Sequence, residues 1–295
     1  MIPLSLFQPP LNRGAKGKIL AHVDYLSFSF PVPGEFDNDL QAKPVAKQSC
    51  LDEGGDPLDA LLRALGKFTV GGTHRPFSAG IRSKVASAAL LWNHRLTHGV
   101  FELGGTGCEL ARQVGVLNAL IESVESRVVR IDVAIDIATP TTPVEFLQEG
   151  WNVRFKSTSL MRSETGETVY VGSRSSARFS RVYRFSEPHP RAGLLRVEFE
   201  LKAEEAKRAA QSIVADGVEA FAASMVDVFG FKSEELRAAI SSPAELPPSE
   251  RAGGRGETVR WLYAAVAPAL AREIVEGRVD PDHFLTYVDS LAREL

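Results

Sequence analysis

The chain has 295 residues, a length that fits one large domain or two ordinary ones. Its composition, 44% hydrophobic, 24% charged and 8% aromatic, excludes a wholly disordered or collagen-like chain. The net charge of −3 argues against a broadly basic nucleic-acid binder, yet residues 154–196 hold nine Arg or Lys against three acids, a local +6 that leaves −9 elsewhere.

Residues 1–18, with Pro9, Pro10, Gly14 and Gly17, read as an irregular N-terminal arm. Ile19–Phe30 alternates as a strand, with Val23, Tyr25 and Ser27 on one face and Asp24, Leu26 and Phe28 on the other. Asp56–Leu65 has an Asp–Pro start and a 3.6-residue period, which predicts a helix capped by Asp56. Strands are expected over Val85–Asn93 and Val100–Leu103. A turn at Gly104, Gly105 and Gly107 and a helix over Glu109–Val124 follow. Arg127–Ile137 is a strongly alternating strand ended by Pro140 and Pro143. A short helix over Glu145–Gly150 precedes strands over Val153–Ser159, Thr168–Gly172, Phe179–Phe185 and Leu194–Lys202. Ala203–Phe229 predicts a long helix interrupted near Gly217.

Ser241–Gly256, rich in Pro, Gly, Ser and charge, reads as a linker to two amphipathic helices, Thr258–Glu276 and Pro281–Leu295. The order of elements predicts an α+β fold, antiparallel sheet with packed helices, over residues 19–240. A linker (241–256) and a C-terminal helical unit (257–295) complete it. The stretches Asp24–Val124 and Arg127–Phe229, each β-rich and then helical, suggest two related halves. Cys50 and Cys108 are too few for a disulfide framework and lack zinc-knuckle spacing, so free thiols are expected. No basic, apolar leader opens the chain and no run nears the roughly 18 apolar residues of a membrane helix, so a cytoplasmic protein without a membrane partner is expected.

Strand parity gathers the polar residues. In Arg127–Ile137, Val129, Ile131, Val133 and Ile135 face one way, and Arg130, Asp132, Ala134 and Asp136 the other. Arg181, Tyr183 and Phe185 share a face of their strand, as do Arg196, Glu198 and Glu200 of theirs. If these strands pair, Asp132, Asp136, Glu198 and Glu200 converge. Clustered carboxylates repel unless a cation compensates them, and they are the usual ligands of Mg²⁺ or Mn²⁺. Beside arginines, such an ion suits phosphoryl chemistry, with Tyr183 as nucleophile. The same alternation also describes any half-exposed antiparallel strand, and Arg196 with Glu198 could be a plain surface pair.

In this order and spacing, RVVRIDVAIDI, ETVYVGSRSSARFSRVYRF and LLRVEFELK resemble the replication initiation factor family, the rolling-circle Rep proteins of plasmids and filamentous phages. The R-[IL]-D-x-[AT]-x-D strand is matched by Arg130, Ile131, Asp132, Ala134 and Asp136. Tyr170, Gly172, Ser173, Arg174 and Ser176 match Y-x-G-S-[RK]-x-S. Arg181 and Tyr183 match R-x-Y, and Arg196, Glu198 and Glu200 match R-x-E-x-[EQ]. HVDYLSFSF and FELGGTGCELA resemble the family's first strand and its glycine turn into a helix. The likeness spans about residues 20–230; the acid and lysine usual after the tyrosine are here Arg184 and Phe185.

The resemblance implies a metal-dependent nicking and joining enzyme acting on a plasmid or phage replication origin. Tyr183 would attack a phosphodiester, keep the 5′ phosphate and free a 3′ hydroxyl, with Arg181 as phosphate partner. Asp132, Glu198, Asp136 and Glu200 would hold Mg²⁺ or Mn²⁺. Arg130, Ser173, Arg174, Ser176, Arg178 and Arg196 would bind DNA. Tyr170 competes as nucleophile or as a packing and base-stacking residue. A homodimer and a host helicase or polymerase are further partners it allows. Two other readings stay open: a non-catalytic DNA-binding regulator on the same scaffold, and an unrelated metal-dependent enzyme on a small molecule.

Overall fold

A computed structural model of the chain describes residues 20–148, 158–163, 166–185, 191–231 and 280. It divides into units 1–247 and 248–295. The expected arm, linker and C-terminal helices lie outside the described residues.

Among the described residues, ten antiparallel strands form one sheet, and six helices cover one of its faces. The first half runs β1 (Leu20–Pro31), α1 (Asp39–Leu65), β2 (Phe68–Val70), β3 (Ala79–Ser83), β4 (Ala88–Trp92), β5 (His98–Leu103), α2 (Gly105–Gln113) and α3 (Leu117–Val124). The second runs β6 (Val128–Ile137), α4 (Pro143–Gln148), β7 (Thr158–Ser163), β8 (Gly166–Val171), β9 (Arg178–Arg184), β10 (Leu195–Lys202), α5 (Glu204–Asp216) and α6 (Val218–Phe229). The strand order is β2-β3-β4-β5-β1-β6-β10-β9-β8-β7. Each half opens with its innermost strand, and its fifth strand returns to pair with the first. The two halves thus repeat one topology, with β1 and β6 antiparallel at the centre.

Alternation builds the core. Leu26, Phe28 and Phe30 of β1 meet Ile131, Val133 and Ile135 of β6 and Val197, Phe199 and Leu201 of β10 under the helices. Each large apolar side chain so buried contributes about 1.5–3 kcal/mol. Both cysteines are buried free thiols.

Several elements differ from expectation. α1 starts at Asn38, whose Oδ1 accepts from the Leu40 and Gln41 amides, both at 3.1 Å. Its first part was hidden because its buried stripe is only Ala42, Ala46, Cys50 and Gly54. The expected start at Asp56 coincides with a kink at Gly55, whose φ of 58° suits glycine. Glu109–Val124 is two helices, broken at Gly115 (φ 78°). β2 and β3 were not foreseen: β2 is three residues long and β3 contains Gly80. The strand expected over Val153–Ser159 is described only from Thr158 and runs on to Ser163.

Candidate active site on the sheet face opposite the helices

Register alone assembles the site. Across β1, β6, β10, β9 and β8, the face away from the helices carries three rows. Tyr25, Asp132, Glu200 and Phe179 form one row. His22, Ala134, Glu198, Arg181 and Tyr170 form the next. The third joins Asp136, Arg196, Tyr183 and Thr168.

Three clusters result. In the first, the Tyr183 hydroxyl donates to Glu198 Oε2 at 3.0 Å, and the other carboxylate oxygen of Glu198 accepts from Arg181. Glu198 is 1% exposed, whereas Tyr183 and Arg181 are half-buried. The buried Nε–H of Arg181 has no hydrogen-bond partner. Burial, then the Glu198 charge, pushes the Tyr183 phenol well above its ordinary range, against the pull of Arg196 and Arg181. Phe185 sits edge-on to Tyr183, with centroids 5.4 Å apart.

In the second cluster, Arg130 donates to both oxygens of Asp132 (2.8 and 2.5 Å) and pairs with Glu200 at 2.8 Å. Lys202 pairs with the other oxygen of Glu200 at 2.5 Å. The Arg130 guanidinium lies 4.5 Å from the Tyr25 ring centroid. Burial raises the Asp132 carboxyl above the ordinary carboxylate range; Arg130 opposes the shift, and the Glu198 and Glu200 charges add to it.

In the third cluster, Arg196 grips Asp136 with two hydrogen bonds (2.6 and 2.9 Å) and Asp24 at 2.8 Å. Arg191 adds a bond to Asp136 at 2.8 Å, and His22 lies 3.0 and 3.2 Å from the two guanidinium groups. Arg196 also covers the Phe185 ring at 4.6 Å.

Apart from Arg178 and the turn residues Ser173, Arg174 and Ser176, the sequence-expected residues share one face but not one centre. Asp136 and Arg196 are buried together as an internal ion pair. Arg178 faces the helices and pairs with Glu205 at 2.7 Å, because it is one residue out of step with Phe179 and Arg181. Ser173, Arg174 and Ser176 lie in the β8–β9 turn, where Ser173 and Arg174 are exposed.

Among the described residues, no three His, Cys, Asp or Glu side chains are grouped to hold a metal ion. Asp132 and Glu198 each already accept from a guanidinium. The donor set as arranged does not fit the expected Mg²⁺ or Mn²⁺ centre; arginines take the compensating role.

Sequence reasoning missed His22, Asp24, His74 and Glu102. A bulge between Val23 and Tyr25 pushes Asp24 out of step and turns Val23 into the core while Tyr25 stays on the site face. Simple alternation could not reveal that. Glu102, facing Ser27 across β1 and β5, receives His74 Nε2 at 2.8 Å. The signal for Glu102 was the shared F-E-L of β5 and β10, Phe101–Leu103 and Phe199–Leu201.

No family model matches the chain, and no curated protein matches it. Among solved structures, it is similar to a rolling circle replication initiator protein from Geobacillus stearothermophilus, at 17% identity and a TM-score of 0.52. The match covers 72% of this chain and 85% of that one. What the two share is the fold.

Proposed function

We propose that the chain is a DNA nicking and joining protein of the rolling-circle type, acting at a replication origin through Tyr183. The observation that carries this is the Tyr183–Glu198–Arg181 cluster on an open sheet face, in a fold shared with a rolling circle replication initiator. A phenol attacks phosphorus only as its proton leaves, and Glu198 Oε2 is placed to receive that proton. The Tyr183 oxygen bonds to the 5′ phosphate, the P–O3′ bond breaks, and the freed 3′ oxygen takes a proton from water. Arg181, whose guanidinium lies 5.8 Å from the Tyr183 ring centroid, stabilises the charge that builds on the phosphoryl oxygens. Phe185 and Arg196 hold the tyrosine ring in place.

The test incubates the full chain with supercoiled DNA carrying its own origin, in EDTA and with Mg²⁺ or Mn²⁺. Products are run on denaturing gels with and without protease. A covalent protein–DNA adduct is expected and is absent in Tyr183→Phe. A regulator on the same scaffold is the second reading, favoured by the closure of Asp132, Asp136, Glu198 and Glu200 by arginines; it gives origin binding with no adduct.

A further inference from the structure

Beyond the Tyr183 cluster the same face continues outward through a feature that the proposed chemistry does not use. Tyr170 of β8 stacks on Phe179 of β9, with centroids 5.7 Å apart and ring planes 20° from parallel. The Arg174 guanidinium lies over Tyr170, 4.7 Å from its centroid. Phe179 is buried, Tyr170 half-buried and Arg174 exposed, so the three form steps rising from the sheet. Arg174 is paired with no carboxylate among the described residues, unlike Arg130, Arg162, Arg178, Arg181 and Arg196. Tyr170 is directly across from Arg181, one strand from the reacting cluster. Farther out on β7, Ser159 continues this row and Met161 continues the row of Thr168, both exposed.

An aromatic step capped by an unpaired guanidinium, on a half-exposed sheet, is suited to a flat, anionic ligand. A nucleobase supplies the π-face and its phosphate the charge. In a duplex the base faces are already occupied by neighbouring bases, and only the edges are offered. We infer that the Phe179–Tyr170–Arg174 steps are a stacking platform for single-stranded DNA next to the phosphodiester held at Tyr183. This rests on the nicking reading for the identity of the ligand.

The test uses the full chain in a Tyr183→Phe background, so that no cleavage intervenes. Fluorescence anisotropy is read with an oligothymidylate of about 12 nucleotides and with a duplex of similar length, neither containing an origin. Tyr170→Leu keeps the apolar bulk without the π-face, and Arg174→Ala removes the exposed cation. Each is expected to weaken oligothymidylate binding roughly tenfold, with duplex affinity within about twofold and Tyr170→Phe unchanged. Unchanged oligothymidylate affinity in both variants, or an equal loss on the duplex, overturns the proposal. Melting temperatures check folding, and Arg174→Ala, a change at an exposed turn, carries the test if Tyr170→Leu is unstable. An adduct with wild-type Tyr183 but no effect of either variant removes the platform and leaves nicking. The reverse pattern removes nicking and leaves the platform.

Discussion

Arginine settles most of the chemistry at the level of single residues. A buried carboxylate is costly unless paired, and Asp132, Asp136, Glu198 and Glu200 each have a guanidinium within hydrogen-bond reach. Asp24 shows the consequence most clearly. Burial opposes its ionisation, but the bond with His22 and the charge of Arg196 outweigh it and hold the carboxyl well below the ordinary range. A depressed folded-state pKa contributes stability that is present above the unfolded value, near 3.9, and is lost as pH falls through the folded one. Asp24→Asn is therefore expected to cost about 1.5–3 kcal/mol at neutral pH, by removing one of the two carboxylates that hold Arg196, and to keep most of that cost at pH 3, which still lies above the folded-state value. Urea unfolding at the two pH values checks this. Tyr183, Arg181 and Glu198 were legible in the sequence because β9 and β10 keep strict alternation. Their hydrogen bonds to one another were not, since parity gives a face and never a contact.

Among the elements, those with strong periodicity were readable and those held by tertiary contact were not. β6 and β10 match their expected spans within a residue, because apolar and polar side chains alternate along nearly their whole length. β3 and the first part of α1 depend on neighbours for their burial, and their own patterns are faint. The glycines before α2 have a specific task. Gly104 N–H donates to the Ser87 carbonyl at 2.9 Å, and Thr106 Oγ1 accepts from the Ser87 amide at 2.8 Å, clasping the helix start to the turn before β4. A Cβ on Gly107 would drive into that same carbonyl. Gly107→Ala is expected to lower stability by about 1–3 kcal/mol. Gly72→Ala, with nothing within 4 Å of the added atom, should change it by less than about 0.5 kcal/mol. Thermal denaturation of the pair separates steric from intrinsic effects.

For the whole molecule, most of the described arginines of the +6 segment are engaged within the fold. Arg178, Arg191 and Arg196 reach acids elsewhere in the fold, and Arg184 donates to the Thr139, Thr141 and Gly193 carbonyls. Three of its arginines, Arg181, Arg191 and Arg196, thus neutralise buried acids. Composition could not reveal this, because ion pairing is a property of register. The halves also diverge on the site face. Where β10 and β9 carry Glu198 and Arg181, β5 and β4 carry Val100 and Leu91, closed over by Phe77 in a small apolar cluster. Among the described residues, no helix is long and apolar enough to cross a membrane.

The central pairing of β1 with β6 bears on how the chain is made. Synthesis completes the first five strands and their helices at residue 124, before the partner of β1 exists. Until β6 emerges, the nascent protein presents a twelve-residue strand with one edge unpaired, the exposure that invites wrong partners. The fragment 20–124 expressed alone is accordingly expected to self-associate, one β1 standing in for the β6 of the other copy. Sedimentation would show a dimer or larger species, and a stable monomer would contradict the idea.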